Sequence, residues 1–152
     1  MSDKPEFVYV TYISTTPEKL WSALLDGELT KLYWGVHKNV SDWKVGSRWE
    51  HQDYDTGKAD VVGEVLEFEP AKRLVLTWSS SLGGPPSRVS LTLEPFMGAV
   101  KLTLVHDRLE PGSPTWKGVT SGWPAILSSL KTLLETGAPL PMTTRRWGGP
   151  PQ

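Results

Sequence analysis

The sequence contains no cysteine among its 152 residues. Disulfide bonds and thiolate chemistry are therefore excluded, and this composition is typical of a protein in a reducing compartment. The N-terminal residues lack the basic and then apolar pattern of a secretion signal, and no apolar run approaches the length of a membrane span. These features predict a cytoplasmic protein.

Strong charge of either sign is also lacking. The formal net charge is −1 at pH 7 and no stretch is strongly basic, so nucleic acid is not expected as a partner. The sequence has only three histidines, none of them three or four positions from another, and this pattern predicts no metal site. No glycine-rich phosphate loop followed by lysine occurs, and no cofactor is predicted.

Tryptophan, by contrast, is abundant, with eight residues in the chain. A core of this size can be built from leucine and valine alone, so this number of large flat side chains favours the wall of a pocket or an interface. The length is that of one domain with a core of its own. We expect that domain over residues 1–137, followed by a Pro/Gly-rich tail, 138–152, that is poorly ordered.

The longest periodic stretch, residues 115–137, predicts a C-terminal helix. Its apolar residues recur at steps of three and four and form one stripe, and Gly137 follows the last of them as a C-cap. Pro124 predicts a kink. Two tryptophans lie before Pro124, whereas the large apolar residues after it are aliphatic. The first half of the helix is therefore expected to frame a space, and the second half to pack tightly.

The segments before this helix mostly alternate between apolar and polar side chains and predict strands. These strands are expected at 7–13, 40–43, 47–53, 59–68, 73–79, 88–94 and 99–108. Gly63, inside one of them, predicts a bulge or bend. Because the turns between the later strands are short, the sheet is expected to be mainly antiparallel, with the long helix over its apolar face. That is an α+β arrangement.

Two short helices are expected between the first two strands, at about 16–25 and 28–34. The first of these helices has two possible N-cap residues. Thr16 as N-cap places Pro17 at the first helical position. Thr15 as N-cap places Glu18 where it completes a capping box. Asp26 and Gly27 are expected to separate the two helices.

Four motifs, in this order of elements, resemble a known family. They are TPEKLWSAL (16–24), VGSRW (45–49), GEVLE (63–67) with LVLTW (74–78), and GWPAIL (122–127). Together they resemble the heat-shock-protein-90 ATPase activator-like family of the StAR-related lipid-transfer and birch-pollen-allergen-like superfamily. The resemblance covers about residues 6–137. It implies a helix-grip fold, in which a curved, mainly antiparallel sheet of about six or seven strands wraps around the C-terminal helix.

Eight residues are predicted to line the gap between this sheet and the helix. Trp49 and His51 share a strand face because they are two positions apart, as do Leu104 and His106. The predicted residues are Trp34, Trp49, His51, Trp78, His106, Trp116, Val119 and Trp123. In one interpretation they form an apolar, aromatic pocket with a few polar groups that orient a ligand. In the other, the tryptophans fill a solid core.

The resemblance implies several roles, and three hypotheses follow. The first is a small binding protein that encloses a hydrophobic or aromatic ligand, lipids included. The second is a chaperone-associated protein of the stress response that uses its surface, to which Arg145, Arg146 and Trp147 are suited. The third is a cyclase- or hydrolase-type enzyme with His51 and His106 as acid and base. Histidines bonded to their neighbours are the simpler interpretation, so no catalytic residue is assigned.

Overall fold

A computed structural model describes residues 6–81 and 83–145. The strands are β1 (Phe7–Ile13), β2 (His37–Ser41), β3 (Arg48–Asp53), β4 (Ala59–Glu69), β5 (Arg73–Ser80), β6 (Ser87–Phe96) and β7 (Ala99–Asp107). The helices are α1 (Pro17–Leu25), α2 (Gly27–Tyr33) and α3 (Pro114–Thr136), followed by a 3-10 helix (Pro141–Thr144). Among the described residues, no helix is long and apolar enough to cross a membrane.

The seven strands form one antiparallel sheet in the order β1-β7-β6-β5-β4-β3-β2. The chain passes through α1 and α2 between β1 and β2, which are the two edge strands. Helix α3 lies against β1 and contacts both α1 and α2. The predicted α+β helix-grip fold, with a curved sheet around a long C-terminal helix, is confirmed.

The helix starts are set by side-chain caps. Thr16 is the N-cap of α1: its Oγ1 accepts a hydrogen bond from the Lys19 amide over 3.2 Å, and Pro17 takes the first helical position. Of the two caps that the sequence allowed, Thr16 is therefore the one used. Asp26 ends α1 and also begins α2, since its Oδ1 accepts from the Glu28 amide over 2.9 Å.

Helix α3 is continuous over 23 residues and passes through Pro124. Its Ser113 cap accepts a hydrogen bond from the Trp116 amide over 3.0 Å. Gly137 ends the helix with φ of 90°, a left-handed conformation that suits glycine, and its amide donates to Leu133 O over 2.8 Å. The predicted C-cap is confirmed.

The two halves of α3 differ in burial. Ile126, Leu127 and Leu130, in the second half, are buried in the core cluster with the sheet. Complete burial of one such aliphatic side chain stabilises the fold by about 1.5–3 kcal/mol. In the first half, only Thr115 and Trp123 are buried. The second half therefore holds α3 to the sheet, and the first half is free to border a space.

The start of the predicted tail packs against α3. Ser129 of α3 is buried, and its Oγ accepts from the Leu140 amide over 2.9 Å and lies 2.6 Å from Thr143 Oγ1. Thr143 O in turn accepts from the Gly35 amide over 2.9 Å. Composition alone could not reveal this docking, because it depends on one buried hydroxyl that needs partners. Residues 146–152, with Arg146 and Trp147, lie outside the described residues.

Candidate ligand-binding cavity

A cavity of about 500 Å³ lies between the sheet and the first half of α3. Its volume is within the range of small-molecule sites, about 300–1,000 Å³. Its apolar lining consists of Trp34, Val61, Trp78, Val119, Trp123 and Ile126. The exposed residues Ser81 and Ser121 also border it, so the cavity reaches solvent.

Three tryptophans from separate elements form one wall of the cavity. Trp34 follows α2, Trp78 is on β5 and Trp123 is on α3. The Trp123 ring centroid lies 5.2 Å from that of Trp34 and 5.6 Å from that of Trp78, with tilted planes in both pairs. These are favourable aromatic separations, and the packing holds the three rings in place. The wall is therefore apolar, aromatic and already formed.

Five of the eight sequence-predicted residues line this cavity. They are Trp34, His51, Trp78, Val119 and Trp123. Trp49, His106 and Trp116 do not line it. The first two are buried behind the wall, and Trp116 is half-buried on α3.

Trp49 is held behind Trp78 by a close approach to Gly63. The two indoles lie 5.5 Å apart, and Trp49 Nε1 donates to Thr77 O over 2.8 Å. A Cβ on Gly63 would lie 2.5 Å from Trp49 Nε1 and would overlap the Thr77 carbonyl. The glycine in β4 therefore makes room for an indole. Of the predicted bulge or bend at Gly63, the bulge is not found there, because the register shifts lie at His51/Gln52 and Val65/Glu67.

His106 supports the tryptophan wall from behind. Its Nδ1 accepts from Trp123 Nε1 over 3.0 Å, and its Nε2 lies 2.7 Å from Ser87 Oγ, which donates to Trp78 O over 3.4 Å. Burial lowers the pKa of His106 to about 4, although Asp107 opposes this effect. The ring is neutral at pH 7 with both nitrogens engaged, so it offers no proton transfer to the cavity.

His51 lines the cavity with a fixed tautomer. Its Nδ1 lies 2.8 Å from Asn39 Oδ1, while the Asn39 amide nitrogen donates to Leu24 O over 3.3 Å. Because the amide oxygen must accept, Nδ1 carries the proton and Nε2 keeps its lone pair. Burial holds the pKa of His51 well below its usual value, and repulsion from His37 lowers it further. Like His106, His51 is neutral at pH 7 and therefore a weak base there.

His37 and Asp60 form a polar pair on the cavity lining that sequence reasoning missed. His37 Nδ1 donates to Gly35 O over 2.7 Å, and Nε2 lies 2.6 Å from Asp60 Oδ2. The rings of His37 and His51 are stacked, with centroids 4.6 Å apart and planes 12° apart.

A tight turn delivers His37 to the cavity. Gly35 and Val36 both have φ of 60°, which is a strained conformation for the β-branched Val36. The turn lets β2 start at His37, three residues earlier than predicted. The sequence feature that could have indicated His37 is its two-residue spacing from Asn39, which places both on one strand face. In the structure, Asn39 pairs with His51 on β3.

Hydroxyl groups border the cavity at its outer side. Ser80 ends β5 and Ser81 follows it, while Thr115 and Ser121 lie on α3. Thr115 Oγ1 donates to Gly83 O over 2.9 Å, which joins the β5–β6 loop to the first turn of α3. Among the described residues, no group of three or more histidine, aspartate or glutamate side chains is arranged to hold a metal ion.

The seven-stranded sheet, the long terminal helix and the cavity between them define the helix-grip class of domains. Within that class, the family model described as Activator of Hsp90 ATPase homolog 1-like protein matches residues 14–135. The chain belongs to this family. No curated protein matches the sequence.

Solved structures of similar proteins agree with this assignment. Protein MLL2253 from Mesorhizobium loti is 30% identical, with a TM-score of 0.73, over 86% of this chain and 97% of the other. CalU16 from Micromonospora echinospora is 22% identical, with a TM-score of 0.74, over 92% and 80%. PFC0360w, an HSP90 activator from Plasmodium falciparum, is 19% identical, with a TM-score of 0.71, over 86% and 96%. The last two likenesses concern the fold alone.

Proposed function

We propose that this protein binds a small hydrophobic molecule that contains a flat ring, enclosed between the sheet and the first half of α3. The observation that carries this proposal is the wall formed by Trp34, Trp78 and Trp123 around a cavity of about 500 Å³. Concave, mostly apolar sites with aromatic side chains and a few placed polar groups are typical of ligand binding. Membership of a helix-grip family supports the same role.

Burial of apolar ligand surface supplies most of the binding free energy in this proposal. Removal of about 300 Å² of such surface from water contributes roughly 7 kcal/mol, at about 25 cal/mol per Å². Lost translational and rotational freedom offsets part of that gain. The polar groups of His51 and the bordering hydroxyls then orient the ligand and add selectivity.

Tryptophan fluorescence tests this function directly, since three indoles border the cavity. The protein is titrated with a panel of lipids, flavonoids and aromatic acids. We expect saturable quenching or a spectral shift with flat-ring compounds, and weaker changes with flexible alkyl chains. The absence of a saturable change with every compound would argue against ligand binding in this cavity.

A second candidate function, interaction with a chaperone, is favoured by an exposed apolar patch. Val8, Val10 and Tyr12 alternate along one face of β1 and are each more than two-fifths exposed. The Tyr12 ring lies 5.1 Å from that of Phe96, and the adjacent Met97 is 91% exposed. Exposed apolar patches of this kind often mark interaction sites.

The chaperone function is tested by adding the protein to heat-shock protein 90 and measuring ATP hydrolysis. We expect stimulation by the native chain and loss of stimulation in Val10→Asp, which places a charge in the middle of the patch. The variant Val45→Asp, at another exposed valine, is the matched control. If the native chain leaves the ATPase rate unchanged, this candidate is wrong.

A further inference from the structure

His51 presents one unpaired acceptor to the cavity. Its Nδ1 is bonded to Asn39, but none of the described residues hydrogen-bonds to its Nε2. That nitrogen is also not sealed in the protein, because no described side chain buries a nitrogen or oxygen without a partner. Since His51 is on the cavity lining, its Nε2 lone pair is accessible from there.

The ring of His51 is held in one orientation. The Trp34 and His37 rings lie 4.7 Å and 4.6 Å from it. A flip of the ring would remove the donor from Asn39 Oδ1, and Asn39 cannot turn its amide without losing its bond to Leu24 O. Because this acceptor is already fixed in place, the protein needs little reorganisation when a ligand binds.

We propose that the cavity selects ligands in which a hydroxyl or N–H donor is attached to a flat aromatic ring. The donor bonds to His51 Nε2 while the ring packs against Trp34, Trp78 and Trp123. This inference rests on the proposed ligand-binding function and names its chemical class, of which phenols are the simplest members. A ligand with only an acceptor at that position binds poorly, because two lone pairs then face each other without a proton between them.

Neighbouring groups also favour a ligand that donates a hydrogen bond over one that accepts it. Both nitrogens of His37 are already engaged, by Gly35 O and Asp60 Oδ2, so His37 offers no free nitrogen to an acceptor ligand. The lowered pKa of His51 keeps Nε2 unprotonated through the neutral range, so it stays an acceptor. The cavity is therefore matched to a neutral donor such as a phenol.

Three naphthalenes separate this inference from the proposed function. Naphthalene, 2-naphthol and 2-methoxynaphthalene share one ring system, but only 2-naphthol carries a donor. Quenching of tryptophan fluorescence at micromolar ligand gives each dissociation constant. We expect 2-naphthol to bind about tenfold more tightly than the methyl ether. Only 2-naphthol can donate a hydrogen bond to the otherwise unpaired His51 Nε2.

The variant His51→Phe retains a ring and removes the acceptor, and we expect it to bind 2-naphthol and 2-methoxynaphthalene equally. If the native protein binds both compounds equally, or if the preference persists in His51→Phe, the donor selection is wrong while ligand binding stands. If none of the three compounds binds, this inference is wrong, and the titration with the broader panel decides separately whether the cavity binds a ligand.

Nitrogen NMR of the native protein provides a readout that does not depend on the folding of a variant. We expect the His51 Nε2 resonance to move when 2-naphthol binds and to move much less with the methyl ether. The His106 resonances serve as the internal reference, since that ring is buried behind the wall with both nitrogens bonded. An Nε2 resonance that moves equally with both ligands would overturn the inference.

Discussion

The indole Nε1–H of Trp123 donates a hydrogen bond to Nδ1 of His106 over 3.0 Å and so joins helix α3 to strand β7 behind the cavity. On its other side, His106 bonds to Ser87, which donates to the carbonyl of Trp78. Two tryptophans of the cavity wall are therefore connected through a single neutral imidazole. The shape of the wall depends on that ring staying unprotonated at Nδ1.

The first prediction concerns pH. The unfolded chain binds a proton at His106 near pH 6.5, whereas the folded chain does so only near the pKa of about 4. Between these values the unfolded state binds more protons, so the free energy of unfolding falls as the pH falls, by roughly 3 kcal/mol for this group. Urea denaturation between pH 7.5 and 4 measures this loss of stability. The pKa of His51 is also lowered, so His51 adds to the loss.

The variant His106→Gln provides the control for the pH prediction. Because glutamine does not titrate, the free energy of unfolding of this variant should depend less steeply on pH below 6.5. At pH 7.5 the variant should be less stable than the native protein. A native protein whose stability stays constant from pH 7 to 4 would contradict the assignment of a buried neutral His106.

The second prediction fills the cavity. Val119→Phe adds a ring to the cavity wall on α3. Because the added volume enters open space, we expect the affinity for a flat-ring ligand to fall about tenfold or more while stability changes by less than about 1.5 kcal/mol. Calorimetric titration and urea denaturation measure the two effects. Val45→Phe, at a 67% exposed position, is the matched control and should leave binding unchanged.

The third prediction contrasts two glycines. Gly63→Ala places a methyl group against the Thr77 carbonyl and the Trp49 indole, so we expect a loss of at least about 2 kcal/mol of stability. Gly122→Ala, in α3, meets nothing closer than 3.9 Å and gains helix propensity of up to about 1 kcal/mol. Thermal denaturation of both variants checks the opposite signs. Equal effects would show that the indole does not need the space at Gly63.

The fourth prediction concerns the docked start of the tail. Ser129→Ala removes the hydroxyl that bonds to Leu140 and Thr143, and we expect a loss of about 1–3 kcal/mol. The Leu140 and Gly35 amides should then exchange faster with solvent hydrogen. Ser128→Ala is the control, since among the described side chains that hydroxyl contacts only Tyr9, over 3.5 Å. Unchanged exchange in Ser129→Ala would mean that the 3-10 helix is held by other contacts.

Local patterns in the sequence located most of the helices and strands, and the family resemblance implied their helix-grip arrangement. Alternation located the strands, steps of three and four located α3, and Gly137 located its end. These features depend on neighbours within a few positions, so they can be recognised without coordinates. The same patterns separated the two halves of α3 and placed Trp123 and Val119 beside the space.

Tertiary structure alone decided how the cavity is lined. His51 and Trp49 share a strand face, yet only His51 reaches the cavity, because the space at Gly63 lets the Trp49 indole pack behind Trp78. The pairing of His37 with Asp60 likewise joins residues 23 positions apart. Sequence periodicity determines which face of a strand a side chain occupies. Only packing and hydrogen bonds between distant segments determine which side chains on that face fill the interior and which border an open space.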